Sequence, residues 1–375
     1  MRIRKKFKRK LRLKPVRLKR RKSGIRSGLR RKLKPLRKLR RYRHRRRRIA
    51  RRESIAYVIP GGDISGGMAV ICQHVNRLME RGVDVVMLSA NGCRSIDWFP
   101  NQRVPIIPLA EVANLRHRVL VATQWSTAYH VQRMSADRKY YFVQAVESWF
   151  YPEGSPEADA AMQSYRFPFI YMTEALWIQR WLKENFNHDS IYVPNGLDET
   201  IFHPVPPIEP KGSKVRVLLE GPIDLPTKGM AEAFMAVKDL DCEIWCVSRT
   251  GTPDPSWRCD RFFSHVEMGN MKQLYSSCDI LLKLSRVEGF FGPPMEMMAC
   301  GGTAVVGDCM GHDEYIVDGH NALVVPLGNV EAAKLAVHRL IHDPGLRQHL
   351  THNGMITARE WNWNRTIDIL HKVYA

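Results

Sequence analysis

Seven residues separate Glu288 from Glu296, and they read GFFGPPM. The preceding DILLKLS (279–285) has the pattern of a strand, so Glu288 is expected at its end. Gly289 to Gly292 then form a loop. Pro293-Pro294 precede a helix, where a fixed φ and a missing N–H are tolerated. Such an arrangement turns loop amides and a helix amino end toward one point, suited to a phosphate or to sugar hydroxyls. An ionised carboxylate only accepts hydrogen bonds, which fits hydroxyl-rich ligands such as sugars and ribose. Taken singly, Glu288 would read as a surface charge in a loop and Glu296 as a solvated helix residue; the whole string asks for a ligand.

Two more segments carry glycines where a ligand approaches backbone. GGDISGGMAV places Gly66 and Gly67 before a helix, and Lys228-Gly229 leads into the helical MAEAFMAVKDL. The first does not match GxGxxG, which argues against a nicotinamide or flavin site. The one DxD, Asp239-Leu240-Asp241, falls between a helix and a strand and reads as a solvated turn. No CxxC pair or Cys/His spacing suggests zinc. No metal and no cofactor is therefore expected.

These residues need a scaffold that brings loops together. SIAYVIP (54–60), the helical VICQHVNRLMERG, and VDVVMLS (83–89) read as strand, helix and strand. RVLVATQ (118–124), KYYFVQ (139–144) and SIYVPNG (190–196) continue the alternation. A proline-dense stretch at 194–214 reads as a linker. KVRVLLEGP (214–222), CEIWCVS (242–248), NMKQLYSSC (270–278) and DILLKLS repeat the pattern. Alternating strands and helices make parallel sheets. Two of them, with ligands held outside the carboxyl ends of the strands, predict a cleft between two Rossmann-like, doubly wound α/β domains.

Charge divides the 375-residue chain further. Residues 1–52 hold 30 of the 59 Lys and Arg and no Asp or Glu, while the rest holds 29 against 37 acidic residues, a net of −8. A mildly acidic body of that length exceeds one hydrophobic core. It carries a polycationic tail whose Ile3, Phe7 and Leu11, then Ile25, Leu29 and Leu33, would form short apolar stripes on basic helices. Cations near an anionic leaflet contribute roughly 1 kcal/mol each. An anionic membrane surface is the favoured partner, ahead of a generic polyanion or nucleic acid held through phosphates. Phe7 and Tyr42 alone would offer stacking to bases. No apolar run is long enough to span a bilayer. The charged start lacks the apolar segment of a secretory signal, and eight scattered cysteines fit a reducing compartment. The expected place is the cytoplasm, at the inner face of the plasma membrane.

The string EGFFGPPMEMMACGGTAVV (288–306) is similar to the E-x7-E signature of retaining glycosyltransferases of the GT-B fold, glycosyltransferase family four in particular. GGMAVICQHVNRLMERGVDVVML, VPNGLDETIFHP, DEYIVDGHNALVVPLGN and the terminal AREWNWNRTIDILHKVY resemble other segments of that family, in the same order. The resemblance covers residues 54–375. LVATQWSTAYHV and YYFVQAVESWFYPEG look like segments of rhamnosyltransferases that build bacterial rhamnan-type polysaccharides, with Ala145 where that group has Asp.

The resemblance implies a GT-B enzyme with a tail at 1–52, an acceptor domain at 53–205 and a nucleotide-sugar domain at 206–355. A terminal helix at 356–375 would cross back to the first domain. It assigns Glu296 to the ribose. Glu288 with Gly289, Phe290, Phe291 and Gly292 takes the donor sugar, Lys228 the diphosphate, and Gly66 and Gly67 the phosphates from the first domain. The family's Gly-Arg pair is replaced by Glu220-Gly221-Pro222, which leaves Arg286 or Arg249 as substitute cations. Thr123, His130 and Glu147 are candidates on the acceptor side. The implied reaction is metal-independent hexosyl transfer, rhamnose being the sugar suggested. It runs with retention, from a nucleotide sugar to a glycan or lipid-linked acceptor in bacterial surface polysaccharide assembly. The alternative implied by the missing arginine is a weak or inactive nucleotide-sugar-binding protein whose tail binds a polyanion.

Overall fold

The computed structural model describes residues 54–375. The tail at 1–52, with its apolar stripes and its partners, lies outside the described residues.

The first domain is a seven-stranded sheet of β1 (Ile55–Ile59), β2 (Val85–Ser89), β3 (Ile106–Pro108), β4 (Arg116–Ala122), β5 (Ser135–Val143), β6 (Ile170–Thr173) and β7 (Ser190–Tyr192). Its spatial order is β3-β2-β1-β4-β5-β6-β7 and every pairing is parallel. Strand β1 is apolar throughout and buried along its length, as a strand covered on both faces must be. Helices α1 (Gly66–Glu80), α2 (Trp125–Arg133), α3 (Pro156–Ser164) and α4 (Leu176–Phe186) belong to this half. Helix α1 begins at Gly66 itself, because the Ser65 hydroxyl accepts from the Met68 N–H at 3.2 Å and caps it.

The second sheet has six strands: β8 (Arg216–Glu220), β9 (Glu243–Ser248), β10 (Arg261–Ser264), β11 (Ile280–Lys283), β12 (Thr303–Gly307) and β13 (Leu323–Val325). They run parallel in the order β10-β9-β8-β11-β12-β13. With them come α5 (Met230–Val237), α6 (Met268–Ser277), α7 (Gly292–Ala299), α8 (Val330–His342) and α9 (Pro344–Glu360). Strand order reverses between β1 and β4, and again between β8 and β11. Loops at such points diverge to opposite faces and leave a crevice at the strands' carboxyl ends. The two crevices face a common cavity.

The halves are tied by chain that passes between them twice. Leu197, Ile201 and Phe202 pack into the second core beside Leu218 and Trp245, ahead of that domain's first strand. Helix α9 stays with the second domain through Leu350 and Ala358. The return begins after Glu360, where Leu197 N–H donates to the Trp361 carbonyl at 2.6 Å. Helix α10 (Trp363–Tyr374) then buries Ile367, Leu370 and Tyr374 against Ile55 and Tyr57 of the first domain. The Tyr57 and Tyr374 hydroxyls meet at 2.8 Å. All eight cysteines are free thiols, Cys242 and Cys246 sharing one apolar cluster. Among the described residues no helix is long and apolar enough to cross a membrane.

Candidate active site in the interdomain cleft

The cavity has a volume of about 720 Å³ and is lined by both domains. That size suits a nucleotide sugar, within the range of roughly 300–1,000 Å³ usual for such ligands. Gly66 and Gly67 at the start of α1 form part of its first-domain wall; Lys228, Glu288, Gly289, Phe290, Gly292 and Glu296 line the second.

Strand β11 stops at Lys283, so Glu288 sits five residues further on, within the loop and not at a strand end. Lys228 closes a short 3₁₀ turn, Pro226–Lys228, and Gly229 follows in the left-handed region at φ 63°. A Cβ on Gly229 would lie 2.2 Å from the Leu284 carbonyl oxygen. Glycine alone lets this turn press against the loop after β11, and so aims Lys228 at Glu288. The Lys228 ammonium donates to Glu288 Oε1 at 2.9 Å.

A second ammonium was not foreseen in the sequence. Lys283 is buried at the end of β11 and donates to the Glu220 carbonyl at 3.0 Å and to Glu220 Oε2 at 2.5 Å. It also lies 3.9 Å from the same Glu288 oxygen that Lys228 holds. Burial favours the neutral amine, but Glu220 and Glu288 outweigh it and raise the Lys283 pKa above its ordinary value. Burial likewise pushes the Glu288 carboxyl up, while Lys228 and Lys283 together pull it below its ordinary value. Two cations and two carboxylates thus form one cluster on the cavity floor. Arg249 also lines the cavity, exposed and without an ion-pair partner among the described residues.

Glu296 lies one turn into α7 and accepts from the Tyr275 hydroxyl at 2.9 Å. Burial, opposed by that hydrogen bond, raises its pKa to about 7. Across the cleft, Glu174 accepts from Asn195 Nδ2 and from the Phe290 N–H, both at 2.8 Å. Trp177 Nε1 donates to the Gly289 carbonyl at 2.9 Å. Burial pushes Glu174 up to about 8 against those two hydrogen bonds. The loop that carries Glu288 is therefore held directly by the first domain.

Several expected residues stand elsewhere. Arg286 is exposed, does not line the cavity, and pairs with Glu232 at 2.6 Å, because it follows β11 on the outer side of the turn. Phe291 is fully buried in the second core, where its carbonyl accepts from the Tyr315 hydroxyl; of the two phenylalanines only Phe290 reaches the cavity. His130 lies exposed in the last turn of α2, away from the cleft. Thr123 lines the cavity, but its hydroxyl donates to the Val58 carbonyl at 2.8 Å and joins the ends of β4 and β1. Glu147 lines the wall as well, accepting from the Trp125 N–H at 2.6 Å and the Tyr141 hydroxyl at 2.8 Å. Burial pushes it up to about 8 against those two hydrogen bonds.

Comparison with known proteins bears on this site. Residues 261–356, which span β10 to α9 and include Glu288 and Glu296, match the sequence family Glycosyl transferases group 1. The uncharacterized glycosyltransferase MJ1178 of Methanocaldococcus jannaschii is 26% identical over 209 residues, covering 53% of this chain and 57% of that protein. The O-antigen biosynthesis protein RfbC of Myxococcus xanthus is 24% identical over 343 residues, 87% of this chain but 24% of its own length. The chain thus spans little more than half of the first relative and a quarter of the second. Among solved structures, Anabaena Alr3699/HepE in complex with UDP-glucose superposes with a TM-score of 0.69 at 13% identity, over 86% of this chain and 99% of its own. Two parallel-sheet Rossmann-like domains in a GT-B fold, the second matching the glycosyl transferases group 1 family over residues 261–356, are what this chain comprises.

Proposed function

We propose that the protein is a glycosyltransferase that moves a sugar from a nucleotide-sugar donor to a glycan or lipid-linked acceptor, with retention and without a metal. The observation that carries the reading is the Lys228–Glu288 pair and Glu296 lining the second-domain wall of one cavity at the crevices of both sheets. In this reading Glu296 accepts from the ribose hydroxyls, and Glu288 and the amides around Gly289 and Phe290 hold the donor sugar. Lys228 meets the diphosphate. The acceptor hydroxyl enters on the face that the nucleotide leaves. The bond from the anomeric carbon to phosphate breaks as the bond to the acceptor oxygen forms, and the acceptor's proton passes to the departing phosphate oxygen. The HepE structure with UDP-glucose supports the donor class, and likeness to an O-antigen biosynthesis protein supports a surface polysaccharide as the product. Rhamnose remains our proposed sugar on the resemblance of segments 120–131 and 140–154. The basic tail is proposed to hold the enzyme at an anionic membrane from the cytoplasmic side.

Titration of the full-length protein with UDP-sugars and dTDP-rhamnose, followed by assay of donor hydrolysis, tests this. One donor is expected to bind and to be hydrolysed slowly without acceptor. If none binds, the reading fails; if one binds and never turns over with any glycan acceptor, a sugar-nucleotide-binding role replaces it.

The Glu296 carboxyl adds a pH dependence. With a pKa near 7 it is protonated below that value and ionised above it. Ribose hydroxyls donate to the ionised form. Affinity for a nucleotide sugar, whose phosphates do not titrate in this range, is expected to rise by up to about tenfold between pH 6 and pH 8. Glu296→Gln should flatten that rise in calorimetric titrations, and an unchanged slope would remove Glu296 from the ribose.

A further inference from the structure

Lys283 and Glu220 end adjacent strands, β11 and β8, at the point where the strand order reverses. Both line the cavity. A lysine buried this fully would be replaced at lower cost by an apolar side chain if it only filled space. Its ammonium has three N–H groups; Glu220 takes two of them, through its carbonyl and Oε2. The third is left to the side on which Glu288 lies at 3.9 Å. Gly221 puts no side chain beside it; a Cβ there would lie 3.7 Å from Lys283 Nζ. Lys228 and Lys283 therefore flank one Glu288 oxygen from two sides.

We propose that Lys283 is a second catalytic cation of the donor site, contacting the leaving diphosphate beside Lys228, with Glu220 as the residue that positions it. This rests on the nucleotide-sugar reading above. Glu220 occupies the end of β8 and points Lys283 into the crevice. As the anomeric C–O bond breaks, negative charge gathers on the phosphate, and an ammonium already in place stabilises it without reorganisation.

The experiment is titration of the full-length protein with UDP and dTDP, with uridine and thymidine as phosphate-free controls, for wild type, Lys283→Met, Lys283→Arg and Glu220→Gln/Lys283→Met. Thermal melts check folding. Loss of a charge-assisted contact is expected to weaken nucleoside diphosphate binding by about 10- to 100-fold in Lys283→Met, with nucleoside binding unchanged. Lys283→Arg should recover part of it. The double variant leaves no unpaired carboxylate, so it should fold even should the single variant fail the melt, and it should remain weak. If it instead binds diphosphate as wild type does, Lys283 merely neutralises Glu220 and the proposal is overturned. Wild-type affinity in Lys283→Met overturns it too. If the wild type itself binds neither diphosphate, the donor reading fails first, and that result is visible before any variant is compared.

Discussion

Gly289→Ala will lower the proposed sugar transfer by at least about 100-fold while leaving both domains folded. A Cβ at this position would lie 1.7 Å from the Gln144 carbonyl oxygen and 2.5 Å from Glu174 Oε1. The first is backbone and cannot rotate away. The loop must withdraw from the first domain, breaking the bonds from Trp177 to the Gly289 carbonyl and from the Phe290 N–H to Glu174. Glu288 moves with it. Misplacing a reacting group by about 1 Å costs on the order of a hundredfold. Neither core is touched, so the melting temperature should change by only a few degrees, and nucleoside diphosphate affinity should fall less than kcat. Wild-type kcat in this variant would mean that the observed contact between Gly289 and Gln144 is absent from the active arrangement.

Lys228→Ala should lower kcat by roughly 10²–10³-fold, the usual cost of removing one group aimed at developing charge. Two effects add. The leaving diphosphate loses a cation, and Glu288 loses the partner at 2.9 Å that holds its carboxyl low. Lys283 at 3.9 Å remains and keeps the loss short of complete. Single-turnover rates with saturating donor separate the contribution to chemistry from that to binding. A variant with near-normal single-turnover rates but weak donor affinity would assign Lys228 to ground-state binding alone.

The alternation of apolar runs made both sheets legible from sequence, because parallel strands buried on two faces read as continuous Val, Ile and Leu. Strands β3, β10 and β13 were not: IIP, RFFS and LVV are runs of only three or four residues. Helix α3 escaped for a related reason, since PEADAAMQS has a weak apolar stripe. At the site, Glu288, Glu296 and Lys228 were legible because glycine and proline flank them in a pattern with a backbone meaning. Lys283 was not. In DILLKLS it looks like the polar position of an ordinary strand, and only the parallel neighbour β8 brings Glu220 beside it. Glu174 was hidden likewise, its partners Asn195 and Phe290 lying far off in sequence. Arg286 and His130 were misplaced because spacing says which turn a residue occupies but not which side of that turn faces the cleft.

The Tyr374 hydroxyl resting on Tyr57 joins residues near opposite ends of the described chain. During synthesis the chain emerges amino end first. The first domain's seven strands are available early, yet the apolar face of β1, which α1 covers in part, is not closed until residues 363–374 leave the ribosome. The second domain draws its core from residues 197–358 and is complete sooner. The domain made first is thus the one finished last, and for that interval the part of the β1 face that awaits α10 is where a chaperone would bind or where two nascent chains would stick.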